Sequence, residues 1–280
     1  MTGEPFNKHA NQRSKKRKIT ETVQKAYDKQ TVWSMENSVL KYFYALEYDE
    51  VINNLEKKQK FGLDIGAGWG RFTLHLACNT CDKVVSTDLA INLLRDIKLR
   101  AREAGHGNIY FVQANAQELP FKKGIFSIII GAQVIGHILE RESFIQELER
   151  VAMHNASLIF TFGNIFSFIE FRYRWRYFRK NFIIRQTKKN LLAICKENFS
   201  VIRNVFSRSR YFWLQERSYH RERLSDVKKI LSKNNFTVHK ISYVGVFDAF
   251  VKIGKRVEFL RRYAPFKYLS HLVIVKAIKK

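Results

Sequence analysis

Leu63-Asp64-Ile65-Gly66-Ala67-Gly68-Trp69-Gly70-Arg71-Phe72-Thr73 places an acid two residues ahead of a Gly-x-Gly-x-Gly turn, between an apolar run and a helix-like run. Glycine lets the backbone turn sharply and come close to a ligand with no Cβ in the way. The helix that follows presents unpaired N–H groups at its start. The spacing discriminates between ligands. A dinucleotide fingerprint reads Gly-x-Gly-x-x-Gly, which would put the third glycine at Arg71. Here it stands at Gly70, and the acid comes first.

Outward from this turn, strand-like and helix-like segments alternate. Residues 61–65 read as a first strand, with a helix beginning at Arg71. Residues 83–87 form a second strand that ends at Asp88, and 109–113 a third. Leu93, Leu94, Ile97 and Ala101 recur at helical spacing between them. Residues 126–131 carry Ile128-Ile129-Ile130, a run that suits a strand buried on both faces of a parallel sheet. A helix over 141–151 and a fifth strand over 157–162 follow. Such alternation with short links predicts an α/β fold with a doubly wound, mostly parallel sheet. Upstream, residues 19–55 suit helices, the last of them, after the acid-rich stretch 47–50, covering the first strand.

After Asn164 the rhythm breaks. Residues 165–215 are aromatic and basic, with no acid between Phe171 and Lys189, and read as a lid or cap inserted after strand five. Ser225 is expected to cap a helix running to Leu231, followed by a strand over 236–244 and a last strand over 272–277.

The 280 residues suffice for one α/β domain with an embellishment, or for two small domains. A hydrophobic content of 46% excludes a disordered chain. Lys and Arg number 50 against 25 acids, a net charge of +25. Such a field attracts polyanions such as nucleic acid, anionic lipid or phosphorylated substrates, and it also follows from a lysine-rich composition alone. Residues 1–18, ending Arg13-Ser14-Lys15-Lys16-Arg17-Lys18, read as a disordered basic tail rather than a secretory signal. With three cysteines, this points to a reducing, cytoplasmic setting. The run 125–139 is interrupted by Ser127, Gln133 and His137 and falls short of the about 18 apolar residues of a membrane span. Cys78 and Cys81 form a C-x-x-C, but the remaining cysteine is Cys195, so no second ligand pair exists and they read as ordinary thiols near a helix end.

Four features fall in one order: the acid-glycine turn, Asp88 at the end of strand two, the segment Asn115-Ala116-Gln117-Glu118-Leu119-Pro120-Phe121, and the apolar fourth strand. Over residues 19–162 this resembles the class I S-adenosylmethionine-dependent methyltransferases, in their type 11-like branch. The resemblance implies a Rossmann-like methyltransferase domain over 19–280, with the variable cap at about 165–215, and S-adenosyl-L-methionine as cofactor. It implies that Gly66, Ala67, Gly68 and Gly70 wrap the methionine and ribose, and that Asp64 favours the ammonium directly or through water. Asp88 would accept from both ribose hydroxyls, and Leu89 would pack on the adenine. An acid at the position of Asp88 also serves the ribose of nicotinamide cofactors. Asn115 stands where the family usually has Asp; its carbonyl can still accept from the adenine amino group, and the Ala116 N–H can donate to the ring.

Gln133, with Gly131 and Ala132, should border the transferable methyl. His137 matches a histidine common in this branch and has two readings, a general base for a hydroxyl acceptor and a half-buried ring bonded to backbone. The second is favoured, because orientation alone can supply roughly 7–11 kcal/mol of the barrier. Trp33 and Tyr27 precede the glycine turn, where this branch closes its pocket with aromatics; they suit core or surface equally. Tyr219 and His220 are candidates for the substrate mouth.

Acceptor classes leave marks of their own. Methylation of a nucleobase amine uses Asn or Asp followed by Pro-Pro and an aromatic after strand four, whereas Ile130-Gly131-Ala132-Gln133 stands here. Cytosine C5 chemistry needs a catalytic cysteine near that position, and Cys195 lies in the insert. The expectation is O-, N- or C-methylation of a small molecule, sugar or lipid-linked acceptor, anionic or amphiphilic, with peripheral contact to anionic membrane or nucleic acid. An RNA methyltransferase using the basic surface is one alternative. A non-catalytic interaction protein on the same fold is another, against which the intact Asp64, Gly66, Gly68 and Asp88 count. The glycine spacing disfavours a nicotinamide dehydrogenase.

Overall fold

The computed structural model describes residues 38–56, 58–138, 140–167, 221–245, 263, 268 and 270–280. The expectations for the basic tail, Tyr27, Trp33, Cys195, Tyr219, His220 and the cap beyond Ser167 lie outside the described residues.

The chain runs α1 (Ser38–Ile52), β1 (Gln59–Ile65), α2 (Arg71–Asn79), β2 (Cys81–Asp88), α3 (Ile91–Glu103), β3 (Ile109–Gln113), β4 (Phe126–Ala132), a 3₁₀ turn (Val134–His137), α4 (Arg141–Val151), β5 (Ala152–Gly163), α5 (Leu224–Lys233), β6 (Phe236–Val244) and β7 (Leu272–Lys279). The seven strands form one sheet in the order β3-β2-β1-β4-β5-β7-β6. β1 to β5 pair in parallel, and β7 lies antiparallel between β5 and β6. The chain winds one way from β1 to β2 and β3, then returns to place β4 on the other side of β1. In open α/β sheets that reversal leaves a crevice beyond the carboxyl ends of the strands, where ligands bind.

The isoleucine run of β4 does what a two-sided strand requires. Ile129 packs into one core with Leu63, Ile65, Phe144 and Phe160, while Ile128 and Ile130 pack into the other with Phe72, Leu76 and Val84. α3 buries Leu93, Leu94, Ile97 and Ala101, the stripe its spacing predicts. Each large apolar side chain buried this way contributes about 1.5–3 kcal/mol.

Several boundaries differ from the sequence-based expectation. β1 begins at Gln59 and β2 at Cys81 because backbone pairing extends beyond the apolar residues, Gln59 lying opposite Cys81. β5 begins at Ala152, ahead of the expected 157, and β7 runs on to Lys279. Ser225 is not the helix cap: Arg223 holds that position and Ser225 sits exposed in the first turn. The physical reason is the inward stripe Leu224, Val227 and Leu231, which starts the helix earlier.

Polar contacts also set the frame of the crevice. Glu147 accepts the Leu119 N–H at 2.9 Å, while Arg150 donates to the carbonyls of Leu119 (2.9 Å) and Phe121 (2.7 Å). This pair on α4 fixes the Leu119-Pro120-Phe121 segment, and Arg150 in turn holds the Glu147 carboxyl below its ordinary range.

Candidate functional site

The glycine turn occupies the carboxyl end of β1. Gly66, Gly68 and Gly70 all have left-handed backbone, with φ of 63°, 53° and 73°. Their reasons differ. A Cβ on Gly66 would meet Val134 Cγ2 at 2.7 Å, and one on Gly70 would meet Ile97 Cγ2 at 2.7 Å. A Cβ on Gly68 would find only the Gly66 carbonyl, at 3.9 Å. Gly66 and Gly70 are thus required by packing, and Gly68 faces open space.

Two carboxylates flank the turn in contrasting settings. Asp64 is buried, and its Oδ2 accepts the Thr73 hydroxyl at 2.6 Å. Thr73 spends its one proton there, so the Ser86 hydroxyl, 3.0 Å away, donates to Thr73. Burial pushes the Asp64 carboxyl up to about 6 despite the Thr73 bonds. Asp88 is half-buried; its Oδ2 takes the Gly68 N–H at 2.8 Å and its Oδ1 the Ala90 N–H at 2.9 Å.

Around this turn the structure places Leu89, whose carbonyl accepts the Gln113 amide at 2.8 Å. Asn115 closes a tight turn on itself, its Oδ1 accepting the Gln117 N–H at 3.1 Å. Ala116 beside it is half-buried against the core. Across the crevice, Gln133 follows β4 with a left-handed φ of 58°. Its N–H is held by the Thr161 carbonyl (2.9 Å) and hydroxyl oxygen (3.0 Å). Non-glycine residues adopt this conformation rarely, and such backbone clusters at functional sites. His137 ends the 3₁₀ turn, half-buried. The structure therefore brings Asp64, Gly66, Ala67, Gly68, Gly70, Asp88, Leu89, Asn115, Ala116, Gln133 and His137 to the carboxyl ends of β1, β2, β3 and β4; Trp33 lies outside the described residues.

One residue escaped the sequence analysis. Glu47 is fully buried, and accepts Arg71 Nη2 at 2.8 Å, Gln133 Nε2 at 2.9 Å and the Thr161 hydroxyl at 2.5 Å. Its signal was an acid in an apolar stripe: Phe43, Glu47 and Val51 recur four apart and all are buried.

The C-x-x-C shows no common ligand geometry. Cys81 is buried, its thiol pushed up to about 12 by burial, whereas Cys78 is exposed with His106 Nε2 at 3.0 Å. Among the described residues no group of three or more His, Cys, Asp or Glu side chains could hold a metal. No helix among them is long and apolar enough to cross a membrane.

Residues 63–160 match the family described as a methyltransferase domain. The chain is 28% identical over 118 residues to ajmaline N-methyltransferase of Rauvolfia serpentina, covering 41% of this chain and 40% of that protein. It is 36% identical over 69 residues to demethylmenaquinone methyltransferase of Lactococcus lactis, covering 24% and 27% respectively. The chain thus spans two fifths or less of the length of these curated relatives. In fold it is similar to magnesium protoporphyrin IX methyltransferase of Synechocystis, solved with S-adenosylhomocysteine bound, with a TM-score of 0.54 at 15% identity over 91% of this chain and 92% of the other. In its domain match over residues 63–160, its sheet order and its acid-glycine turn, the chain is similar to the class I S-adenosylmethionine-dependent methyltransferases.

Proposed function

We propose that the protein transfers a methyl group from S-adenosylmethionine to an oxygen, nitrogen or carbon of a small-molecule, sugar or lipid-linked acceptor. The observation that carries this is the open space over Gly68, flanked by the Asp88 carboxylate, at the switch between β1 and β4. The residues present fit the cofactor: a Cβ at Gly68 would intrude where the ligand approaches, and the Asp88 carboxylate, held by the Gly68 and Ala90 N–H groups, stands beside it at the end of β2 as the acceptor a ribose requires.

When bound, the cofactor supplies an electrophilic methyl on a sulfonium. Gly66, Ala67, Gly68 and Gly70 would hold its methionine and ribose part, and Leu89, Asn115 and Ala116 its adenine. Asp64 holds the first turn of α2 through Thr73 and adds a negative field, undamped by water, that favours a cation over the turn. Gln133, locked in its left-handed conformation, would border the reacting methyl. The chain's contribution is alignment, with His137 shaping the site rather than serving as base. Relatives named for N-methylation of ajmaline and for demethylmenaquinone methylation support a small organic acceptor.

Calorimetry with S-adenosylhomocysteine and with NADH tests the reading. Only the former should bind, and binding of NADH alone would refute it. An RNA acceptor is the second reading, on the strength of the net charge of +25. Its signature is RNA binding that weakens steeply with salt.

A further inference from the structure

Glu47 stands upstream of the 63–160 match, and three donors from three separate elements converge on it. Arg71 opens α2 immediately after Gly70, on the glycine-turn rim of the crevice. Gln133 forms the opposite rim, and Thr161 lies on β5 beside Ala132. Arg71 is tied to α1 a second time, donating to the Tyr44 carbonyl at 3.2 Å with its guanidinium 4.5 Å over the Tyr44 ring. Thr161 Oγ1 donates to Glu47 and accepts the Gln133 N–H, so one carboxylate fixes both the backbone and the side chain of Gln133.

We propose that Glu47 is a positioning residue that locks the two rims of the cofactor crevice together, so that docking of α1 sets cofactor affinity. This deepens the methyltransferase reading and rests on it. Its chemistry fits that role and not proton transfer. Oε2 is shared by Arg71 and Gln133 and Oε1 is taken by Thr161, and the side chain is fully buried. Glutamine cannot replace it without loss. Its NH₂ group would face either two donors at the Oε2 position or the Thr161 hydroxyl, whose proton would then lose its acceptor. The position needs an acceptor on every side, which only an ionised carboxylate provides.

Glu47→Gln in the full-length protein should weaken S-adenosylhomocysteine binding, measured by calorimetry, about tenfold. Hydrogen exchange should quicken at the amides of 66–71 and 133–137 together while α4 stays protected. Glu47→Asp, which keeps the charge with shorter reach, should recover part of the affinity. Leu148→Ala, in the remote core, should lower the melting temperature without changing affinity, which separates positioning from general loosening. Thr161→Val serves as a second variant should Glu47→Gln not fold; it should weaken binding and quicken exchange at 133–137 while sparing 66–71. Affinity within twofold of wild type in Glu47→Gln, or in Thr161→Val where that variant stands in, overturns the inference, as does exchange that rises uniformly. Wild-type protein that fails to bind S-adenosylhomocysteine overturns the methyltransferase reading and this inference with it, an outcome distinct from wild-type-like binding by the variants.

Discussion

Adding one methyl group at Gly68 and one at Gly70 should damage different properties. Both residues have left-handed backbone, so alanine at either costs about 1–2 kcal/mol in conformation alone. At Gly70 the new Cβ would lie 2.7, 2.8 and 3.2 Å from three carbons of Ile97, on the buried face of α3. Overpacking of this kind adds about 1–3 kcal/mol, so Gly70→Ala should lose about 2–5 kcal/mol in all. At Gly68 no such term arises, the nearest atom being 3.9 Å away. Its methyl group would instead fill the space assigned to the cofactor. Gly68→Ala should therefore melt only a few degrees below wild type, at about 2–4 °C per kcal/mol, yet bind S-adenosylhomocysteine at least about tenfold more weakly. Gly70→Ala should show the larger fall in melting temperature. In an Ile97→Ala background its added cost should shrink to the conformational part. Urea titration and calorimetry on wild type, the three single variants and the double variant give both quantities. Folded Gly68→Ala with wild-type affinity would refute the placement of the cofactor.

Three further outcomes are expected. Because burial raises the Asp64 carboxyl to about 6, the folded state holds a proton that the unfolded chain releases above roughly pH 4; stability should fall as pH rises through that window. Asp64→Asn should flatten the difference in urea stability between pH 4.5 and 7 by roughly 2 kcal/mol, and an unchanged slope would show that another group titrates. Arg141 and Glu222 form a buried ion pair, Arg141 Nε donating at 2.7 Å, that ties α4 to the segment entering α5. Glu222→Ala should cost about 3–5 kcal/mol by stranding the guanidinium, whereas Arg141→Met with Glu222→Leu should recover most of that; urea titration of the two variants checks it. Asn115→Leu should weaken S-adenosylhomocysteine binding, and unchanged affinity by calorimetry would remove Asn115 from the adenine site.

The fold was legible where burial and periodicity coincide. Ile128-Ile129-Ile130 reads as a two-faced strand because both faces are covered, and α3 reads as a helix because its four buried residues share a face. Legibility failed where hydrogen bonding, not burial, sets the limits. Met153, His154 and Asn155 belong to β5 yet are exposed, and the pairing of β4 with β5 shifts register between Phe126 and Ile128. Lys279 was missed as a strand residue because lysine rarely buries. Here its Nζ binds the carbonyls of Glu149 (2.5 Å) and Ala152 (3.0 Å), at the negative end of α4. In the site, residues of the glycine turn are local in sequence and could be named. Glu47 could not, because Arg71, Gln133 and Thr161 are separated from it along the chain and only the sheet order gathers them.

The antiparallel position of β7 has a consequence for biosynthesis. Residues 272–279 fill the slot between β5 and β6, so the sheet stays split until these residues have left the ribosome. Until then β5 presents an unpaired backbone edge, Leu158 to Phe162, to solvent or to another nascent copy. Closure of the sheet therefore waits on β7, and nonsense alleles that stop translation shortly before Leu272 should yield aggregated rather than merely inactive product.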